Sequence, residues 1–119
     1  MSRTLATAKR AGASFEQEIA TYLATELDLP GIERRHLSGT KDRGDISGLF
    51  INKLRVVVEC KNYGGRLEPS TWLKELETER INDSAPLGFV VAKRKGITDP
   101  GKQYVLMTLD DLIRFITVR

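Results

Sequence analysis

Residues 45–61 read Asp-Ile-Ser-Gly-Leu-Phe-Ile-Asn-Lys-Leu-Arg-Val-Val-Val-Glu-Cys-Lys, two apolar runs separated by Asn52-Lys53, and they decide the fold. Side chains alternate across a strand, so Arg55, Val57, Glu59 and Lys61 share one face while Val56, Val58 and Cys60 share the other, core-facing one. Asn52-Lys53 is a hairpin signal. A plain two-residue turn would pair Ile51 with Leu54 and set Asp45 opposite Cys60, on the wrong side from Glu59. A three-residue loop over residues 52–54 pairs Ile51 with Arg55 and sets Asp45 opposite Lys61. Only that register, or a bulge with the same effect, leaves Ile46, Phe50, Val56, Val58 and Cys60 as one apolar face. Asp45, Glu59 and Lys61 are therefore expected to converge at one end of a hairpin.

A carboxylate and an ammonium at the end of a buried strand are costly, and chemistry explains them better than stability does. Two carboxylates beside one ammonium suit a hard divalent cation such as Mg2+, which takes oxygen ligands and keeps several waters. Lys61 would then orient or help deprotonate an attacking water and offset charge growing on a phosphate. The chemistry that fits is phosphodiester hydrolysis.

The flanking sequence supplies an order of elements. Residues 1–13 carry Arg3, Lys9 and Arg10 among small residues and read as a basic, flexible arm; residues 14–119 read as a single domain. A helix is expected from Ser14, where Ser14 and Gln17 fit a capping box and Phe15, Ile19, Leu23 and Leu27 repeat at helical spacing. Pro30-Gly31 ends it. Residues 32–37 offer a first strand, residues 38–44 a polar loop, and the hairpin follows. Residues 69–82 read as a second helix with Trp72, Leu73, Leu76 and Ile81 inward and an acidic outer face. Residues 87–92 are a continuous apolar run, a buried strand. A strand over residues 104–107 leads to a last helix capped by Thr108 and Asp111. The order is α-β-β-β-α-β-β-α, an α/β chain with a central mixed sheet flanked by helices.

An aspartate, a strand-length spacer and then Glu-x-Lys is the pattern in which this chain resembles the PD-(D/E)xK nuclease superfamily, here Asp45 followed by Glu59-Cys60-Lys61, with Gly44 where the motif often has proline. The resemblance implies a restriction-endonuclease-like core with the signature on its second and third strands. Gly12-Ala13-Ser14-Phe15-Glu16-Gln17-Glu18-Ile19 looks further like the opening of archaeal-type Holliday junction resolvases, in which a glutamate of the first helix joins the site; that glutamate is Glu16. By the same likeness Asp45, Glu59, Glu16 and the Cys60 backbone carbonyl would bind Mg2+, with Mn2+ substituting, and Lys61 would serve the water. A basic residue and a serine before the aspartate correspond to Arg35 and Ser38. The family chemistry leaves a 5′-phosphate and a 3′-hydroxyl.

At 119 residues the chain has no room for a separate module that reads base sequence, so recognition of DNA shape is expected. Cutting a four-way junction takes two symmetric incisions, which implies a homodimer; the last strand and helix, with Ile113, Phe115 and Ile116, are the expected surface. Net charge is +3. Arg3, Lys9, Arg10, Arg34, Arg35, Ser38, Lys41, Arg43, Lys93, Arg94 and Lys95 are the candidate DNA contacts, several of them flanking the acidic site. Branched or duplex DNA is the expected partner, with nicked or flapped duplex in recombination, repair or host-DNA breakdown as the alternative substrate, and a non-catalytic DNA-binding protein as the alternative class.

Simpler readings stand beside these. Glu59 and Lys61 also fit a cross-strand ion pair, Asp45 a turn residue, Glu16 a first-turn acid favoured by the helix dipole, and the basic clusters ordinary solubilising charge. The single cysteine excludes an internal disulfide and any multi-thiolate zinc cluster, and His36 has no partner for a metal. No stretch spans a bilayer and no signal peptide is present, so a cytoplasmic protein of a prokaryote or of a virus-infected cell is expected.

Overall fold

The strand β4 (Leu54–Lys61) organises the molecule because it is buried on both faces, its five residues from Val56 to Cys60 all being shielded from water. A strand covered on both sides reads as a continuous apolar run, which Val56-Val57-Val58 supplies. The computed structural model describes residues 4–35 and 43–118. Arg3, His36, Ser38 and Lys41 lie outside the described residues.

Among those residues the sheet is mixed and open. Its order is β1 (Glu33–Arg34), β2 (Ile46–Ser47), β4, β5 (Leu87–Ala92) and β6 (Tyr104–Leu106), with β3 (Phe50–Ile51) paired to the start of β4. β4 and β5 run parallel, Val56 facing Leu87 through Lys61 facing Ala92, and every other pairing is antiparallel. The parallel step needs a crossover, and α2 (Pro69–Asn82) provides it. One core, against α1 (Leu5–Leu27), joins Phe15, Ile19, Ile46, Val56, Val58, Cys60 and Val91. The other, under α2, joins Val57, Trp72, Leu76, Val90 and Ala92. A short 3-10 turn (Pro100–Lys102) precedes β6, and α3 (Leu109–Thr117) closes the chain. No helix among the described residues is long and apolar enough to cross a membrane.

Several expectations need correction. α1 begins at Leu5, capped by the Thr4 hydroxyl, which accepts from the Thr7 amide at 3.1 Å; Ser14 lies mid-helix and caps nothing. The alanine-rich segment before it has high helix propensity and continues the helix rather than forming a loose arm. Asp28, in the left-handed region at φ 52°, ends it. The first strand is two residues long.

The hairpin turns through two residues, not three: Ile51 pairs with Leu54 and Phe50 with Arg55, yet Ile46 pairs with Val58. The register therefore shifts by one residue between Phe50 and Ile46, and Gly48 absorbs it at φ +90°. A Cβ there would strike the Gly31 carbonyl, so this bulge depends on two glycine backbones touching. The bulge turns Leu49 inward and leaves Phe50 exposed beneath the Arg55 guanidinium, 5.7 Å from the ring centroid.

Asn52 and Lys53 both have positive φ, 49° and 69°, the two-residue turn that matches strand twist. Lysine is strained there, and Asn-Gly is the preferred pair. Lys53→Gly is expected to raise stability by about 1 kcal/mol and the melting temperature by about 4 °C; a thermal melt showing destabilisation would contradict this turn.

Candidate active site

The candidate site lies where β2 leaves β4. β2 pairs only as far as Ile46 with Val58, so beyond Val58 the edge of β4 facing β2 has no strand beside it. Asp45 fills that opening. Its amide donates to the Val58 carbonyl at 3.0 Å, its own carbonyl accepts from the Arg35 amide at 2.7 Å, and its Oδ2 accepts from the Cys60 amide at 2.8 Å. The Lys61 carbonyl accepts from the Lys93 amide, on the β5 side. Backbone groups of adjacent strand residues point to opposite sides, so the Cys60 carbonyl is directed, like its amide, toward Asp45.

Gly44 makes this approach possible. At φ +95° it occupies a region closed to proline, whose ring holds φ near about −65°. A Cβ at Gly44 would also come within 2.7 Å of Val57 Cγ1. Glycine here thus sets a backbone path into Asp45 that proline could not follow.

Glu59 is 4% exposed and points under α2. Burial pushes its carboxyl up to about 9; hydrogen bonding and repulsion from Glu79 add to the rise, while the hydrogen bond to Asp45 and the charge of Lys61 oppose it. At neutral pH and without a cation, a proton therefore resides on Glu59 and is shared with its acidic neighbours. Lys61 follows the opposite logic. Burial pulls it down, but the Glu75 carboxylate, 2.6 Å from Nζ, and the charge of Glu59 outweigh that and leave its pKa raised. Lys61 is a cation suited to offsetting phosphate charge, and a poor base.

Glu16 sits on the α1 side and is held by Arg34, whose Nε donates to Oε2 at 2.9 Å. Burial raises its pKa, the Arg34 bond lowers it and the charge of Asp45 raises it again. The Cys60 thiol is pushed up first by burial and then by the charges of Asp45, Glu59 and Glu16, which excludes a thiolate nucleophile. Asp45, Glu59, Cys60 and Lys61 thus lie at one end of β4, and Glu16 comes from α1 close enough for the charge of Asp45 to act on it.

Two members were missed. Glu79, 2% exposed, and Glu75 both project from α2 toward the sheet, so that helix does not present a purely acidic outer face. Ile81, expected inward, is 74% exposed. The signal was available: at 3.6 residues per turn Glu79 lies about 20° from the direction of Trp72, whereas Ile81 lies about 180° from it.

The basic residues divide. Arg34 is bound to Glu16, and Arg35 to the buried Asp83 at 3.2 Å, so neither is the loose phosphate contact expected. Lys93 donates to the carbonyls of Arg94 and Ile97, and Arg94 stacks on Tyr104, 4.6 Å from its ring centroid, while donating to the Lys102 carbonyl. These two hold the turn after β5. Lys9, Arg10, Arg43 and Lys95 are exposed.

Asp45, Glu59 and the Cys60 carbonyl are hard oxygen donors, the set that suits Mg2+. Among the described residues no three histidine, cysteine, aspartate or glutamate side chains form a ready-made metal cage, so such an ion would complete its shell with water and substrate oxygens. No family model, curated protein or solved structure matches this chain.

Proposed function

We propose that the chain is a Mg2+-dependent DNA endonuclease with a restriction-endonuclease-like core, acting on branched DNA in the manner of a Holliday junction resolvase. The observation that carries this reading is Asp45 filling the opening beside β4, its carboxylate on the Cys60 amide and hydrogen-bonded to Glu59, with the Lys61 ammonium alongside. A structural ion pair needs no second and third acid at the same spot, and burying them is costly.

Asp45, Glu59 and the Cys60 carbonyl would hold the ion. When bound, Mg2+ acidifies a coordinated water and offsets charge on the scissile phosphate. Lys61, cationic and half-buried, would leave Glu75 to meet a phosphate oxygen and stabilise charge in the transition state. Glu16 would act through Arg34 and the field at Asp45, and a 3′-hydroxyl and 5′-phosphate would be left. Lys9, Arg10, Arg43 and Lys95 would contact the DNA backbone, with affinity falling as salt rises. Two incisions in one junction call for two copies of the site.

Incubation with labelled four-way junction, flap and linear duplex, in Mg2+ and in chelator, is the test. Paired symmetric cuts at the junction, dependent on Mg2+, are expected. Equal cutting of linear duplex would move the substrate to duplex or flapped DNA. Binding in chelator with no cleavage in Mg2+ or Mn2+ would replace the enzyme by a DNA-binding protein.

A further inference from the structure

The chain enters the candidate site between β4 and the last turns of α2. A Cβ at Gly44 would strike Val57 Cγ1 and lie 3.8 Å from Glu79 Oε2, so Gly44 passes over the α2 face of β4. Asp45 is then held through the Val58 carbonyl, the Cys60 amide and the Arg35 amide, the last donating to its carbonyl at 2.7 Å. Val58 and Cys60 belong to the strand buried on both faces. Arg35 follows β1, which pairs over only two residues at the edge of the sheet, and so short an edge strand frays readily. Its side chain supplies the missing anchor. Arg35 Nη2 donates to Asp83 Oδ2 at 3.2 Å, and Arg55 approaches Oδ1 at 3.7 Å. Asp83 stands at the C-terminal end of α2 with its side chain 5% exposed. Both circumstances disfavour a carboxylate: burial costs it hydration, and a helix C-terminus carries negative partial charge. The helix does not need it, since the Asp83 amide closes α2 on the Glu79 carbonyl whatever the side chain. What the carboxylate supplies is a fixed place for Arg35.

We propose that Asp83 is a positioning residue for Asp45: by holding the Arg35 guanidinium it fixes the Arg35 amide on the Asp45 carbonyl, and so keeps the Asp45 carboxylate where an ion can be shared with Glu59 and the Cys60 carbonyl. The ion enters from the catalytic reading, on which this role rests; the clamp on Asp45 does not. Asp83 itself touches neither ion nor substrate. α2 thereby supports both acids, with Glu79 bonded to Glu59 directly and Asp83, one turn later, acting on Asp45 through Arg35. Arg55 provides the contrast. It shares the same carboxylate, but its side chain is 53% exposed and lies over the Phe50 ring, away from Asp45. Removing the Arg55 side chain should therefore loosen nothing around Asp45, whereas removing that of Arg35 should do what removing that of Asp83 does. Groups that orient a metal ligand in this way typically cost about 10- to 100-fold in metal affinity when lost.

Amide hydrogen exchange of the whole chain, followed by NMR in chelator without DNA, tests the clamp. In Asp83→Ala the Arg35 and Cys60 amides should exchange at least about tenfold faster, with the β5 amides that bond β4 unchanged. Arg35→Ala keeps its main-chain amide and should give the same change; the double variant should be no faster than either single one, and Arg55→Ala should match wild type. The Mg2+ concentration that half-saturates junction cleavage should rise at least about tenfold in Asp83→Ala, with the rate at saturating Mg2+ within about threefold of wild type. Unchanged exchange at Arg35 and Cys60, an Arg55→Ala variant as affected as Asp83→Ala, or faster exchange with an unmoved Mg2+ midpoint would overturn the role of Asp83. Should Asp83→Ala not fold, Arg35→Ala, whose side chain is 24% exposed, is read for the same exchange rates and the same midpoint. A wild-type chain that never cleaves with Mg2+ or Mn2+ overturns the catalytic reading instead, and the exchange rates still decide the clamp.

Discussion

Asp45→Asn is expected to lower Mg2+-dependent DNA cleavage by about 10^3-fold or more while changing DNA affinity by less than about threefold. Asparagine keeps the shape of the side chain and an oxygen able to accept the Cys60 amide, so the opening beside β4 stays filled. The main-chain bonds from the Asp45 amide to Val58 and from the Arg35 amide to the Asp45 carbonyl are untouched by the change. What disappears is one formal negative charge, the property a hard cation requires of its ligand. Loss of activity in this variant therefore reports on ion binding rather than on folding. Single-turnover cleavage of labelled junction at saturating Mg2+, with binding measured in chelator, separates the two. Cleavage within tenfold of wild type would remove Asp45 from the site.

Much of the architecture was legible because local signals agreed. Residues 69–82 and 87–92 form the helix and strand that their apolar patterns indicate, and Thr108 with Asp111 makes the capping box read from the sequence. The hairpin was half legible. A register shift follows from an apolar face that includes Phe50, yet Phe50 is exposed and the shift runs the other way: Ile46 opposite Val58 sets Asp45 opposite Glu59 and not Lys61, because the bulge depends on Gly48 meeting Gly31, seventeen positions away, which no local pattern carries. Glu79 was hidden for another reason. Its helical angle points at the sheet, yet a carboxylate is assigned to solvent unless a compensating site is already in view. The arginines failed through counting charge without partners: Glu16 and Asp83 neutralise Arg34 and Arg35 from elements distant in sequence. The helix start was missed because the basic residues Lys9 and Arg10 drew more weight than the alanines around them.

In chelator, the wild-type chain is expected to lose several kcal/mol of stability between pH 5 and pH 9, and Glu59→Gln to abolish most of that loss. The folded state holds the Glu59 proton up to about 9, far above the ordinary glutamate value of 4.5. Below the unfolded value both states are protonated and the buried neutral group contributes in full. As pH rises, the unfolded chain releases the proton while the folded one retains it, so folded stability declines until pH passes the folded value. The upper limit is set by that gap at ~1.4 kcal/mol per unit. Glutamine is neutral at every pH and its amide can donate to both Asp45 and Glu79, so the variant should exceed wild type by about 2 kcal/mol or more at pH 8 and match it near pH 4. Glu16, also raised, contributes a slope of the same sign in both proteins, and the difference between them isolates Glu59. An ion bound by Asp45 and Glu59 must displace this proton, so Mg2+ should stabilise wild type increasingly toward alkaline pH, and cleavage should rise over the same range. Glu59→Gln should show neither response. Urea unfolding of both proteins from pH 4 to 9, with and without Mg2+, reads all of this, and parallel stability curves would mean that Glu59 is not the proton reservoir of the site.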